Sequence, residues 1–196
     1  KKSLLAAAGN AGEALVIEDV FSTYLYTGNG STQTITNGID LAGEGGMTWF
    51  KRRDASANHF VFDSVRGINS SGSNEGYLST NTNVSAQFGN FLSSYNSDGF
   101  SIAGDNAFNF LGSTNVSWTF RKAPRFFDVV TYTGDGTSNR QIAHSIDGTV
   151  GFILIKRYDS TGNWIAWHRQ VDPGYGILDG TNAFTSGANG FFDAVT

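Results

Sequence analysis

Four side chains in this sequence stand where they could hold a ligand. They are His59 and Asp63 in His59-Phe60-Val61-Phe62-Asp63, and Trp164 and His168 in Trp164-Ile165-Ala166-Trp167-His168. An extended chain sends successive side chains to opposite faces. Phe60, Phe62, Ile165 and Trp167 therefore turn together toward a core. His59, Val61 and Asp63 share the other face with Trp164, Ala166 and His168. An indole beside an imidazole is suited to sugar, because the ring covers apolar sugar carbons while the polar tips meet hydroxyls. The same placement fits an ordinary amphipathic outer face or a contact between domains, and the sequence leaves both readings open.

Other chemistries lack their residues. Glutamate occurs only at 13, 18, 44 and 75. Glycoside hydrolysis uses two carboxylates facing each other across a cleft. On one strand that would read Glu-x-Asp-x-x-Glu or Glu-x-x-x-Glu, and neither is present. Glu18-Asp19 is an adjacent pair whose side chains diverge if the chain is extended. The histidines, His59, His144 and His168, have no zinc-type spacing, although His59 and His168 could still meet in space. No Gly-x-Ser-x-Gly elbow and no phosphate-binding loop occurs. Calcium is the ion best suited to loops of this kind, with Asp105-Asn106 and Asp135 as candidate ligands, but no Asp-x-Asp-x-Asp-Gly run supports it. The expectation is a protein that is not an enzyme and that carries no cofactor.

Composition narrows the partners. A net charge of −4 with no basic run beyond Lys51-Arg52-Arg53 argues against nucleic acid. There is no cysteine, so disulfides are excluded as a stabilising device. The opening Lys1-Lys2-Ser3-Leu4-Leu5-Ala6-Ala7-Ala8 has too short an apolar run for a secretory signal. No segment is apolar for long enough to read as a membrane-spanning helix, so membrane insertion is not expected.

The elements that must position these residues are written twice. Tyr26-Thr27-Gly28-Asn29-Gly30 returns as Tyr132-Thr133-Gly134-Asp135-Gly136. Met47 to Phe50 matches Phe152 to Ile155. Lys51-Arg52, Asp54 and Asn58 match Lys156-Arg157, Asp159 and Asn163, and Leu78 matches Leu178. The drifting offset is what insertions in turns produce between conserved strands. Strands are predicted at 20–27, 33–39, 47–51, 59–65, 77–79, 100–102 and 116–120, and again at 126–133, with Gly- and Asp-rich turns between them. This pattern predicts an all-β, antiparallel sandwich duplicated in tandem. Repeat one covers 20–124 and repeat two 125–196, preceded by a non-repeat segment, 1–19, that suits docking. Trp49, which aligns with Leu154, and Trp118 are both expected in the core. The Tyr26 and Tyr132 segments are expected in like environments. Phe191 to Thr196 aligns with Phe91 to Asn96, so repeat two stops early. The sequence then reads either as the front of a longer polypeptide or as two half-units that combine into one larger sandwich.

Four segments carry a family resemblance: Tyr132 to Gly136, Phe152 to Asp159, Phe62 to Gly67 and Val116 to Lys122. They resemble repeats of about 100 residues in virion proteins of tailed phages that infect marine bacteria, especially cyanobacteria. Those repeats are similar to the concanavalin A-like lectin/glucanase superfamily, a jelly-roll sandwich. The resemblance spans about residues 21–196 and transfers no functional residue, since the glucanase carboxylates are absent. It implies a tail fibre or related virion structural protein, located on the tail or particle surface. It also implies other virion proteins as partners through residues 1–19, host-surface glycan as a possible target, and a homotrimer. A carbohydrate-binding lectin module is the alternative, and a polysaccharide-degrading enzyme the least favoured reading.

Overall fold

The computed structural model describes residues 15–68, 76–104, 107–171 and 174–185. Residues 1–14, most of the expected docking segment, lie outside the described residues, as do Asp105-Asn106 and the 191–196 segment. The described chain is all-β with antiparallel pairing throughout. A short 3₁₀ turn, Ile17–Asp19, leads into ten strands. They are β1 (Phe21–Thr27), β2 (Gln33–Thr36), β3 (Gly46–Arg52), β4 (His59–Asp63), β5 (Leu92–Asn96), β6 (Gly99–Ile102), β7 (Thr114–Arg121), β8 (Phe152–Ile155), β9 (Ile165–His168) and β10 (Gly176–Ile177).

Residues 20–124 form two sheets, ordered β1-β7-β3-β4 and β2-β6-β5. Their facing sides enclose one core of Tyr26, Ile35, Phe50, Phe60, Phe62, Leu92, Phe100, Ile102 and Phe108. Phe108 sits at its centre although it belongs to no strand. Its ring stacks on Phe50 at 4.3 Å and 7°, and it meets Phe60, Phe62 and Phe91 edge-on or tilted. Each fully buried phenylalanine contributes roughly 1.5–3 kcal/mol by leaving water. Nearby, Asn109 is fully buried and ties three loops together. Its Oδ1 accepts from the Asn29 amide, and its Nδ2 donates to the Ser31 and Ala103 carbonyls.

The alternation expected for β7 is inverted. Ser117 pairs with Phe50 and Thr119 with Thr48, so the hydroxyl residues face the sandwich interior. Trp118 pairs with Trp49 on the outside, which corrects the core assignment of both tryptophans. The interior along β7 is polar for a reason. Asn37 Nδ2 donates to Thr119 Oγ1 at 2.8 Å, and Thr48 Oγ1 lies 3.2 Å from the Tyr95 hydroxyl. Small hydroxyl side chains leave room for the phenylalanines of β3 and β4.

Residues 125–185 form a single described sheet, β10-β9-β8. The strand expected at 126–133 is not there. Phe127 makes one isolated bridge to Ala123, and the segment carries no strand. Tyr26 is 8% exposed and donates its hydroxyl hydrogen to the Phe108 carbonyl. Tyr132 is 44% exposed beneath the Arg140 guanidinium. The expectation of like environments is therefore not met. The physical reason is that β7 and the Phe108 turn bury Tyr26, and no counterpart of either lies among the described residues. Smaller differences also appear. β2 ends at Thr36 rather than Ile39 and β4 at Asp63 rather than Val65, residues 77–79 make only isolated bridges, and β5 was not foreseen as a strand.

Candidate functional site

The outer face of the four-stranded sheet is where aromatic and polar groups gather. Register places Thr23, Trp118, Trp49 and Val61 in one row across four strands. Leu25, Val116, Lys51 and His59 form the next row. A third row holds Phe21, Phe120, Met47 and Asp63, and Phe126 and Phe127 pack onto Phe120. The first two rows stay partly open. Trp49 and Trp118 are half-buried, Thr23 is exposed, and Leu25 is 59% exposed.

Trp49 organises this face. Its ring lies 6.0 Å from Trp118 and 5.8 Å from His59, edge-on to both. Its Nε1–H donates to His59 Nδ1 at 2.9 Å. A neutral imidazole that accepts at Nδ1 carries its proton on Nε2. Burial first, and the Lys51 ammonium second, hold the His59 pKa below its ordinary value. The ring is thus a neutral donor at pH 7, set beside two indoles. Asn81 Oδ1 accepts from the His59 amide and its Nδ2 donates to Asn58 Oδ1, adding carboxamides at the rim.

The other three sequence candidates serve the fold. Asp63 is buried with Arg66, with 2.6 Å from Nε to Oδ2. Its Oδ1 accepts the Val65 and Arg66 amides, and Arg66 also reaches the Gly76 and Val61 carbonyls. This carboxylate fastens a turn and is not presented to a ligand. Trp164 is 6% exposed, packed with Leu78, Ala86, Leu154 and Tyr158. Its Nε1–H donates to the Ser79 carbonyl at 2.9 Å. It is one of the contacts between residues 20–124 and 125–196, so its indole is not available for stacking on a sugar. His168 is half-buried beside Phe152 and accepts the Gln170 amide at Nδ1. His59 belongs to the Trp49 cluster and His168 to the Phe152 edge. Asp135 accepts the Thr137 amide in its own turn. Among the described residues, no three His, Cys, Asp or Glu side chains converge as an ion site would require.

Sequence reasoning missed the Trp49–Trp118–His59 grouping because it assigned both tryptophans to the core. One signal for it was present: Ser117 and Thr119 flank Trp118, and a strand between two sheets can turn its small polar side inward.

The hairpins β3–β4 and β8–β9 carry the same local devices. Met47 pairs with Asp63 and Phe50 with Phe60, while Phe152 pairs with His168 and Ile155 with Ile165. The strand-end ion pair Arg52–Asp54 is matched by Arg157–Asp159, at 2.7 and 2.8 Å. The amide that opens the second strand is capped by Asn81 in one hairpin and Asp179 in the other. The residue that closes it, Asp63 or His168, accepts the amide two positions on.

No curated protein and no solved structure matches the chain. Residues 18–195 match the family described as "Domain of unknown function (DUF7483)", and the chain belongs to that family.

Proposed function

We propose that this chain is a virion structural protein of a tailed phage, a fibre segment built from tandem copies of one concanavalin A-like jelly-roll unit. Residues 1–19 dock it on the particle, and the sandwiches form an attachment surface for the host. One observation carries the structural role. The two hairpins keep register, ion pair and amide caps, yet differ wherever a side chain could do chemistry. His59 stands where repeat two has Trp164, Asp63 where it has His168, and Trp49 where it has Leu154. What recurs is the means of building a sheet, as in arrays made for reach and contact area. The sequence resemblance supplies the virion context, and fibres of this type assemble as homotrimers. Immunogold labelling with antiserum against the chain tests the proposal. Label on tails or fibres of purified particles is expected, and label confined to the particle-free fraction contradicts it.

A second reading, a carbohydrate-binding lectin module, is favoured by the open Trp49–Trp118–His59 face. Glycan-array binding lost in Trp118→Ala, with the fold intact, would support it. Binding that survives this substitution would remove it.

A further inference from the structure

The two ends of the 20–124 sandwich differ in charge. At one end β1 and β3 finish and β7 and β4 begin, since Thr27 pairs with Thr114, Arg52 with Asn115 and Lys51 with His59. Among the described residues this end carries Lys51, Arg52 and Arg53, with Asp54 bound to Arg52 at 2.7 Å. The opposite end carries the carboxylates. Glu18 and Asp19 precede β1, Asp40 and Glu44 precede β3, and Asp98 lies between β5 and β6.

The basic end also carries an apolar tip. Phe108 and Asn109 are buried, and the chain then turns outward, leaving Phe110 52% and Leu111 71% exposed. Backbone bonds hold this turn in place. The Ser113 amide and hydroxyl both donate to the Phe110 carbonyl, at 2.9 and 2.7 Å. The Gly112 amide donates to the Gly28 carbonyl and the Gly28 amide to the Ser113 carbonyl, both at 2.8 Å. Leu111 sits over Gly30, where an added Cβ would come within 3.3 Å of the Leu111 Cβ. The Arg52 guanidinium lies 5.4 Å from the centre of the Phe110 ring, and Arg53 is exposed beside Thr114, whose carbonyl accepts its amide. Two large apolar side chains are thus held in water with guanidinium groups around them. An arrangement of this kind marks an interaction site.

We propose that this end of the sandwich docks on a lipid bilayer bearing anionic phosphate headgroups. Phe110 and Leu111 enter the boundary between headgroups and acyl chains, and Arg52 and Arg53 meet the phosphates. The forked donors of a guanidinium match phosphate oxygens. Neither apolar side chain has a polar tip for sugar hydroxyls. A protruding turn of residues 109–113 does not offer the area of about 800 Å² per partner that a stable protein interface uses. The pose that seats the tip also keeps the acidic end away from the phosphates. No helix among the described residues is long and apolar enough to cross a membrane, and this contact needs none. It is separate from the Trp49 face and does not rest on the virion reading.

The test is flotation of the intact chain with vesicles of equal parts phosphatidylglycerol and phosphatidylcholine, against phosphatidylcholine alone. The sequence has no cysteine, so Thr114→Cys takes a single environment-sensitive label beside the tip and leaves Phe110 and Leu111 in place. Saturable binding to the anionic vesicles and a blue shift of the label are expected, with about tenfold or more weaker binding to the neutral ones. Leu111→Ser should weaken binding about tenfold or more by removing the inserted side chain. Arg53→Gln should weaken it about fivefold, and high salt should abolish that difference. Both residues are exposed, so both variants should keep the parent melting temperature. No flotation, equal binding to neutral vesicles, or full binding by Leu111→Ser would each overturn the proposal. A label shift that appears with rising protein concentration and no vesicles would place the tip between copies of the chain, and would overturn it too.

Discussion

Replacing Phe108 with alanine removes the ring at the centre of the repeat-one core. Phe108 is fully buried and touches the rings of Phe50, Phe60, Phe62 and Phe91. Truncating a buried phenylalanine costs about 3–5 kcal/mol, combining lost transfer energy with the cavity left behind. The upper half of that range applies here. The four partners come from β3, β4 and the segment before β5, held by two sheets that cannot both close on the void. The stacked Phe50 also loses its best-aligned partner, a contact worth about 0.5–1.5 kcal/mol beyond area. For a domain of this size, a loss of about 4 kcal/mol lowers the melting temperature by roughly 8–16 °C. Urea unfolding followed by tryptophan fluorescence reads the same quantity as a shifted midpoint with an unchanged slope. Phe152→Ala, at an exposed edge, serves as the control and should fall within about 0.5 kcal/mol of the parent. A Phe108→Ala loss below about 1.5 kcal/mol, or one equal to the control, would refute the placement of this ring between the sheets.

Asp63→Asn leaves the buried Arg66 guanidinium without its counter-charge and should cost about 3–5 kcal/mol in urea unfolding; a neutral result would show that the pair is solvated. Trp164→Phe keeps most of the packing but leaves the Ser79 carbonyl without its donor. It should cost about 1–3 kcal/mol in thermal unfolding, and an unchanged transition would place Trp164 elsewhere. His59 sets a pH dependence. The folded chain holds its pKa below the ordinary 6.5, so the unfolded chain takes up the proton more readily. The stability this group contributes is complete above that value and falls as pH drops through it toward the folded pKa. Protonating Nδ1 also breaks the Trp49 hydrogen bond, so tryptophan emission should shift over the same range. In His59→Gln both the shift and that part of the pH slope should vanish, and their persistence would assign them to another group.

Much of the sheet architecture was legible because it rests on local pattern. Alternation in 59–63 and 164–168 placed Phe60, Phe62, Ile165 and Trp167 on the side facing away from His59 and Trp164, and the pairing agrees. The duplicated Lys-Arg-x-Asp marked two strand ends that fold alike. What failed depended on distant partners. Which face of β7 turns inward is tied to Asn37, far off in sequence, which donates to Thr119. Phe108 gave no periodic signal because it enters the core from a turn. Tyr132 repeats Tyr26 in type and context, but burial is conferred by the strand beside it, which a local comparison does not report. The open aromatic face was hidden for the same reason, since an indole reads as core until its sheet is given an inside.

On the proposed reading β3 and β8 are copies of one element, with β3 paired on both edges and β8 on one. Residue-resolved hydrogen exchange by NMR measures this directly, because in an antiparallel edge strand successive amides point alternately toward the partner and away from it. Slow exchange at every amide from Met47 to Lys51, with alternating slow and fast amides from Phe152 to Ile155, is the predicted result. Uniform protection across Phe152 to Ile155, or uniform exchange there, would contradict it.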